Sequence, residues 1–370
     1  MKLLQLLPIN PTFTLRNLPG KLTRSYTFKG YTLQTAAILL GLLLSTSCTQ
    51  EREANSATLP DREPEFADTT ITAPTDTQAV VSTDTLANTV AVESTPADTG
   101  YTYPGPQPLP GAILPQKRIL AYYGNPLSKR MGILGEFPAD KMLSKLDDEI
   151  ANWQKADPNT PIQPALHAIV VTAQGHPSAG GKYRLRMTDK MIDGVLEMAA
   201  KRDAIVFLDV QVGHSTLQEE LPRLEKYLKM PQVHLGIDAE FSMKDGSVPG
   251  RKIGTFDAED INYATKYMAD LAKANNLPPK LLIVHRFTQR MITNHKNITL
   301  RPEVQIVMHM DGWGPPALKK DTFRRYIKNE PVQFTGFKIF YKNDTKNNSR
   351  LMKPEEVLAL KPTPMYIQYQ

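Results

Sequence analysis

From residue 117 onward, short apolar runs alternate with amphipathic stretches of helical period. Arg118–Tyr123 reads as a strand and leads to a helix over about Ala139–Trp153, and Ala165–Thr172 leads to Thr188–Lys201. Ala204–Val210 leads to Ser215–Lys229, and Val233–Glu240 leads to Asp257–Asn275, which Asp257 caps and Pro278-Pro279 stops. Leu281–Phe287 precedes a short helix over Thr288–Asn294, Val304–Asp311 precedes Pro316–Lys328, and Phe334–Tyr341 precedes Lys353–Leu360. The last strand is Met365–Gln370. Helix-to-strand connections such as Arg202-Asp203 are short, whereas strand-to-helix connections such as Phe241–Phe256 are long and carry glycine. Eight strand–helix units in about 250 residues predict an α/β fold, a (β/α)8 barrel over 116–370, with its active face at the C-terminal ends of the strands. A doubly wound open sheet is the rival, but no Gly-rich phosphate turn follows the first strand.

The strand Val233–Glu240 alternates most strictly. Val233, Leu235, Ile237 and Ala239 face one way, and His234, Gly236, Asp238 and Glu240 the other. The same alternation aims Tyr123, Gln174, Asp209 with Gln211, His285, His309 with Asp311, Lys338 and Gln368 toward the barrel mouth. Buried polar groups without partners are costly, so such a ring predicts a site, or else a mutually bonded plug. Carboxylates beside histidine, tyrosine and lysine suit general acid–base chemistry, and like-charge crowding predicts a raised pKa for Glu240 as proton donor beside Asp238. Asp209, Asp238, Glu240, His285, His309 and Asp311 are acceptable metal ligands, but no paired-histidine spacing fixes a metal, and the expectation is no metal and no cofactor. His167 and His234 lie deeper in their strands and read as core histidines.

Asp238-Ala239-Glu240 resembles the end of the fourth-strand signature of family 18 glycoside hydrolases, the chitinase-like barrels. Tyr122-Tyr123 on the first strand and Met308-His309-Met310-Asp311 on the sixth are similar to pieces of that family. The resemblance implies a polysaccharide or oligosaccharide substrate, with Glu240 as the acid and Asp238 orienting a substrate acetamido group that acts as nucleophile, while the alternation itself predicts Asp238, Asp209 and Asp311 as electrostatic partners of Glu240. Tyr123, Gln211, His285, His309, Trp313, Lys338 and Gln368 would then contact substrate, and Tyr122, Tyr123 or Trp313 could stack on a sugar ring. A non-catalytic glycan-binding or scaffold barrel and a metal-dependent hydrolase are the alternatives.

Composition changes the picture ahead of the barrel. Residues 1–48 carry a basic leader (Lys2, Arg16, Lys21, Arg24, Lys29), an apolar run from Ala36 to Leu44, and Ser45-Thr46-Ser47-Cys48. The run is too short for a membrane helix, which needs about 20 residues, and reads as a signal segment. Cys48, the one cysteine of the chain, follows small residues and resembles a lipobox cysteine, which implies lipidation, a membrane anchor and a cell-envelope location. Residues 49–115 are rich in Thr, Ala and Pro, with ten acidic side chains against two basic, and predict a disordered tether. Of the net +6, the leader contributes +5 and the tether −8, which leaves the barrel near +9. No clustered Lys/Arg with aromatics accompanies that charge, so nucleic acid is not expected as a partner, and a monomer is.

Overall fold

The structure is a computed structural model and describes residues 103–370. The signal segment, Cys48 and the tether as far as residue 102 lie outside the described residues. Eight strands carry the architecture: β1 (Arg118–Gly124), β2 (Ile162–Ala173), β3 (Ile205–Val210), β4 (Val233–Asp238), β5 (Lys280–Arg286), β6 (Val304–Met310), β7 (Phe334–Ile339) and β8 (Tyr366–Tyr369). Each pairs in parallel with the next, and β1 pairs with both β2 and β8, so the sheet closes into a (β/α)8 barrel. Among the described residues, five α-helices of five or more residues lie in the intervening segments: α1 (Ala139–Ala156), α2 (Asp189–Ala200), α3 (Ala258–Ala274), α4 (Pro316–Phe323) and α5 (Pro354–Leu358). The Thr188 side chain accepts from Met191 N to start α2, and Asp257 with Asp260 forms a capping box on α3.

Three segments depart from the expected elements. The helix expected over Ser215–Lys229 is broken into short turns, Leu217–Glu220, Leu221–Leu224 and Glu225–Leu228, around Pro222, which has no N–H to give. No α-helix follows β5. Two 3-10 turns, Gln289–Met291 and His295–Asn297, flank Ile292–Thr293, which pairs with Phe256–Asp257. The segment Arg184–Arg186, expected as loop, pairs antiparallel with the end of β2.

Alternation sorts the strands into two cores. Outward residues such as Leu120, Leu166, Leu208, Leu235 and Ile306 pack with Trp153, Val195, Tyr227, Met268 and Phe323 from the surrounding elements. Inward residues near the N-terminal ends form a second cluster, including Ile119, Ala165, Phe207, Ile283, Val307 and Phe334. Leu114, fully buried, belongs to that inner cluster, and both its backbone N and O bond the Gln305 side chain at 3.1 and 2.6 Å. Tyr103 and Ile113 pack against it as well. The packed chain thus extends upstream of residue 116, where composition alone placed the start of the barrel. Gly-Pro-rich sequence conceals the anchor because only Leu114 and its neighbours supply the apolar contact.

Candidate active site at the barrel mouth

Above the apolar layer the barrel interior turns polar. The ladders set the positions: Tyr123 lies opposite His167, Asp209 opposite Gly236, Asp238 opposite His285, His285 opposite His309, and Lys338 opposite Gln368. Asp209, His167, His285, His309, Lys338 and Gln368 are fully buried, and Asp238 and Asp311 are within 1% of it. Glu240, at 9% exposure, is the most accessible carboxyl of the ring.

Two of the carboxylates face cations. His285 Nδ1 is 2.8 Å from Asp311 Oδ2, and Lys338 Nζ is 2.9 Å from Asp311 Oδ1. Lys338 also sits 3.8 Å above the centre of the Tyr123 ring, and the Tyr123 hydroxyl donates to Asp209 Oδ2 at 3.0 Å. Asp209 Oδ1 faces His167 Nε2 at 3.3 Å and His285 Nε2 at 3.4 Å. Asp238 differs, because its bonded neighbours are neutral: the Gln211 amide donates at 3.3 Å and the Glu240 backbone N–H at 3.0 Å. Gln211 is itself fixed by accepting from Ala173 N at 3.1 Å.

These surroundings push the groups apart. Burial would raise Asp209, but the charge of His285 and the two imidazoles beside it outweigh burial and hold the carboxyl far below its usual range. Burial, opposed by His285 and reinforced by Glu240, Asp209 and Asp311, pushes Asp238 up to about 7. Burial would lower His285, yet Asp209 and Asp311 carry it up to about 9. His167 is pulled down to about 4 by burial despite Asp209. Burial and then Asp209 place Tyr123 well above its ordinary value. The ring thus holds Asp209 and Asp311 against His285 and Lys338, with Asp238 able to keep a proton near neutrality.

Several sequence expectations need correction. The fourth strand ends at Asp238, and Ala239–Phe241 forms a 3-10 turn, so Glu240 reaches the mouth from a turn and not by strand alternation. The Asp238 carboxyl carries a raised pKa, because full burial outweighs the charge of His285. His309 and Gln368 are fully buried, and His309 packs edge-on between the rings of His285 and Tyr366, at 5.2 and 4.9 Å. Burial, then the charge of His285, holds it well below its usual value. Gln368 donates to Tyr366 OH at 2.8 Å. Gln174 stands beyond the end of β2 and donates back to Thr172 O. Trp313 is half-buried at the rim with the Lys346 ammonium 5.2 Å over its ring. Tyr122 points outward, where its hydroxyl meets Lys145 O and Tyr341 OH, and Tyr123 is covered by Lys338, so neither offers a sugar a free face.

His167, expected as a core histidine, instead belongs to the site. Its Nδ1 meets Tyr366 OH at 2.6 Å while its Nε2 points to Asp209. His234 does stay in the core, taking a bond from Leu281 N at 3.2 Å. A signal for His167 was present in the sequence: Gly236 in mid-strand. A Cβ there would lie 2.3 Å from His167 Nε2 and 2.6 Å from Asp209 Oδ1, so the glycine makes room for both. Gly336 does the same for His309 Nδ1, at 2.5 Å. Among the described residues, His167, Asp209 and His285 bring donor atoms within 4.8 Å of one another, close enough to share one metal ion.

No family model matches the chain, and no curated protein matches it. Among solved structures, a GH5-4 broad specificity endoglucanase from Clostridium longisporum aligns with a TM-score of 0.33 and 13% identity over 60% of this chain and 75% of that chain. A likeness of that depth carries no argument about the site, and the fold rests on the strand pairings themselves.

Proposed function

We propose that the barrel mouth is a hydrolytic centre acting on glycosidic bonds of a polysaccharide or oligosaccharide. One observation carries the reading. The C-terminal layer of a barrel whose lower layer is apolar brings together Asp209, Asp238, Glu240 and Asp311, with one carboxyl among neutral donors and two others matched by cations. Glycoside hydrolysis needs such a division: one carboxyl that gives a proton and another that stays charged. Asp238 enters as the protonated member, Glu240 beside it activates water or receives the proton back, and Asp209 stays ionised. The burial of the ring means that a sugar reaches Asp238 only after the barrel mouth opens. That same burial supports the second reading, a closed barrel that binds glycan at its rim or serves as an envelope scaffold.

A panel of peptidoglycan, chitin and plant-polysaccharide fragments decides between them. The expected result is turnover that falls about 10²–10⁴-fold in Glu240→Gln and in Asp238→Asn, with binding retained. A wild type that turns nothing over while still binding glycan gives the molecule to the scaffold reading. Turnover unchanged in both variants removes these residues from the chemistry. The envelope location is part of the same proposal: Cys48→Ala should release the chain from membranes on fractionation, and an unchanged distribution would end the lipoprotein reading.

A further inference from the structure

His167 Nε2, Asp209 Oδ1 and His285 Nε2 are three buried polar atoms without a hydrogen-bond partner, and they face one another inside the barrel. Bonds between a charged imidazole and a carboxylate run at about 2.7–2.9 Å. The distances here, 3.3 and 3.4 Å, are too long for that and are what two ligands of one ion show. Ligands held at ~2.1 Å from a cation and roughly tetrahedral or octahedral about it stand about 3.0–3.4 Å apart. The span of up to 4.8 Å among the three atoms closes to about 3.4 Å around such an ion if two of the groups each move by about 0.7 Å.

The outer contacts fit the same purpose. A metal-bound histidine orients itself by giving its other ring nitrogen to a carboxylate, carbonyl or hydroxyl. His285 gives Nδ1 to Asp311 Oδ2 at 2.8 Å, and Asp311 is in turn held by Lys338 at 2.9 Å. His167 has Nδ1 against Tyr366 OH at 2.6 Å and Gln368 Nε2 at 3.1 Å. Asp209 has its second oxygen fixed by the Tyr123 hydroxyl at 3.0 Å. His285 and Asp209 are therefore held from behind, and His167 presents a bare Nε2 when its hydrogen sits on Nδ1, toward the Tyr366 hydroxyl. Gly236 removes the side chain that would fill the space between them.

We propose that His167, Asp209 and His285 bind one divalent transition-metal ion, through the two Nε2 atoms and Asp209 Oδ1. Two imidazoles and a carboxylate select borderline cations of the zinc, manganese or iron(II) class over magnesium or calcium. The proposal deepens the hydrolytic reading, on which it rests for its purpose but not for its geometry. The ion would sit beside Asp238, the register partner of His285.

The test begins with binding and not with activity. The full chain, stripped with chelator and titrated with Zn²⁺, Mn²⁺ or Fe²⁺, should take up about one equivalent by elemental analysis and melt at higher temperature. Cobalt(II) should give the visible absorption of a nitrogen- and oxygen-ligated ion. Asp209→Asn and His285→Gln should lose the ion, and Asp311→Asn, a positioning residue, should weaken it about 10–100-fold. Because those variants carry a risk of misfolding, Gly236→Ala is the second probe. Its added methyl crowds His167 Nε2 and Asp209 Oδ1 and should reduce affinity in a chain that still shows a cooperative melt. Wild type that takes up no ion and shows no thermal shift overturns the proposal, as does equal uptake by wild type and Asp209→Asn, which would place the ion on the surface. A chain that binds the ion at these residues yet hydrolyses no glycan sustains the metal and removes the hydrolase. Glycan turnover by a metal-free chain keeps the hydrolase and takes the ion out of its chemistry.

Discussion

Lys280 and Lys338 are buried lysines at opposite ends of the same barrel, and their surroundings share almost nothing. Lys280, at the N-terminal end of β5, donates to two backbone carbonyls, Met230 O at 2.6 Å and Val233 O at 2.9 Å. Burial alone lowers its pKa to about 8. Lys338, at the C-terminal end of β7, lies 2.9 Å from a carboxylate that also contacts His285, and over an aromatic face. The lower end uses a polar group to tie a loop to a strand, with neutral partners and an apolar filling beside it. The upper end sets charge against charge across strands distant in sequence. An arrangement that only closed the barrel would not need the second kind, because apolar packing there is as stable or more so.

The largest expected effect breaks the upper end. Lys338→Met takes from Asp311 one of the two cations that face it and should cost about 3–5 kcal/mol in denaturant unfolding. Adding Asp311→Asn should recover part of that loss, since the uncompensated charge is then gone. Additive losses would mean that the two groups are not coupled. At the lower end the expected cost is apolar: Leu114→Ala should lower stability by about 3 kcal/mol through a cavity in the inner core. A chain that begins at Lys117 should therefore be less stable than one that begins at Tyr103, and equal melting of the two would show that Leu114 does not matter. The smallest effect sharpens the contrast in pH. The folded state gives up the Lys280 proton near pH 8, while the unfolded chain keeps it to about 10.5. Wild type should then gain stability relative to Lys280→Met as pH rises from about 8 to about 10.5, by at most about 1.4 kcal/mol per unit. A flat difference would mean that Lys280 keeps its proton in the fold.

The eight strands were legible because buried parallel strands write themselves as runs such as Leu281–Val284 and Val304–Val307, and loop lengths gave their direction. Tyr123, Asp209, Asp238, His285, Asp311 and Lys338 followed from alternation, and they do meet. The rest depended on information that alternation does not carry. How deep His167 sits relative to Asp209 follows from the register of β2 and β3, which sets His167 against Phe207 and Ile169 against Asp209. The roles of Asp238 and Glu240 depend on the strand stopping at Asp238, which an Asp-Ala-Glu triplet does not announce. The Leu114 anchor was hidden because one leucine in a proline-rich stretch makes no pattern.

Tyr366 and Gln368 give the His167 ring its tautomer, and that choice has a chemical consequence. With the Gln368 amide nitrogen turned to the tyrosine oxygen, the tyrosine proton is free to go to His167 Nδ1, so a neutral ring carries its hydrogen on Nε2, toward Asp209. With the amide reversed, its oxygen takes the tyrosine proton, His167 keeps its hydrogen on Nδ1, and Nε2 presents a bare lone pair. One half-turn of a buried amide thus converts the imidazole from a donor to a ligand. Gln368→Glu fixes the second arrangement when ionised and Gln368→Leu removes the choice. The nitrogen chemical shifts of His167 in the two variants would show which face of the ring the barrel holds ready.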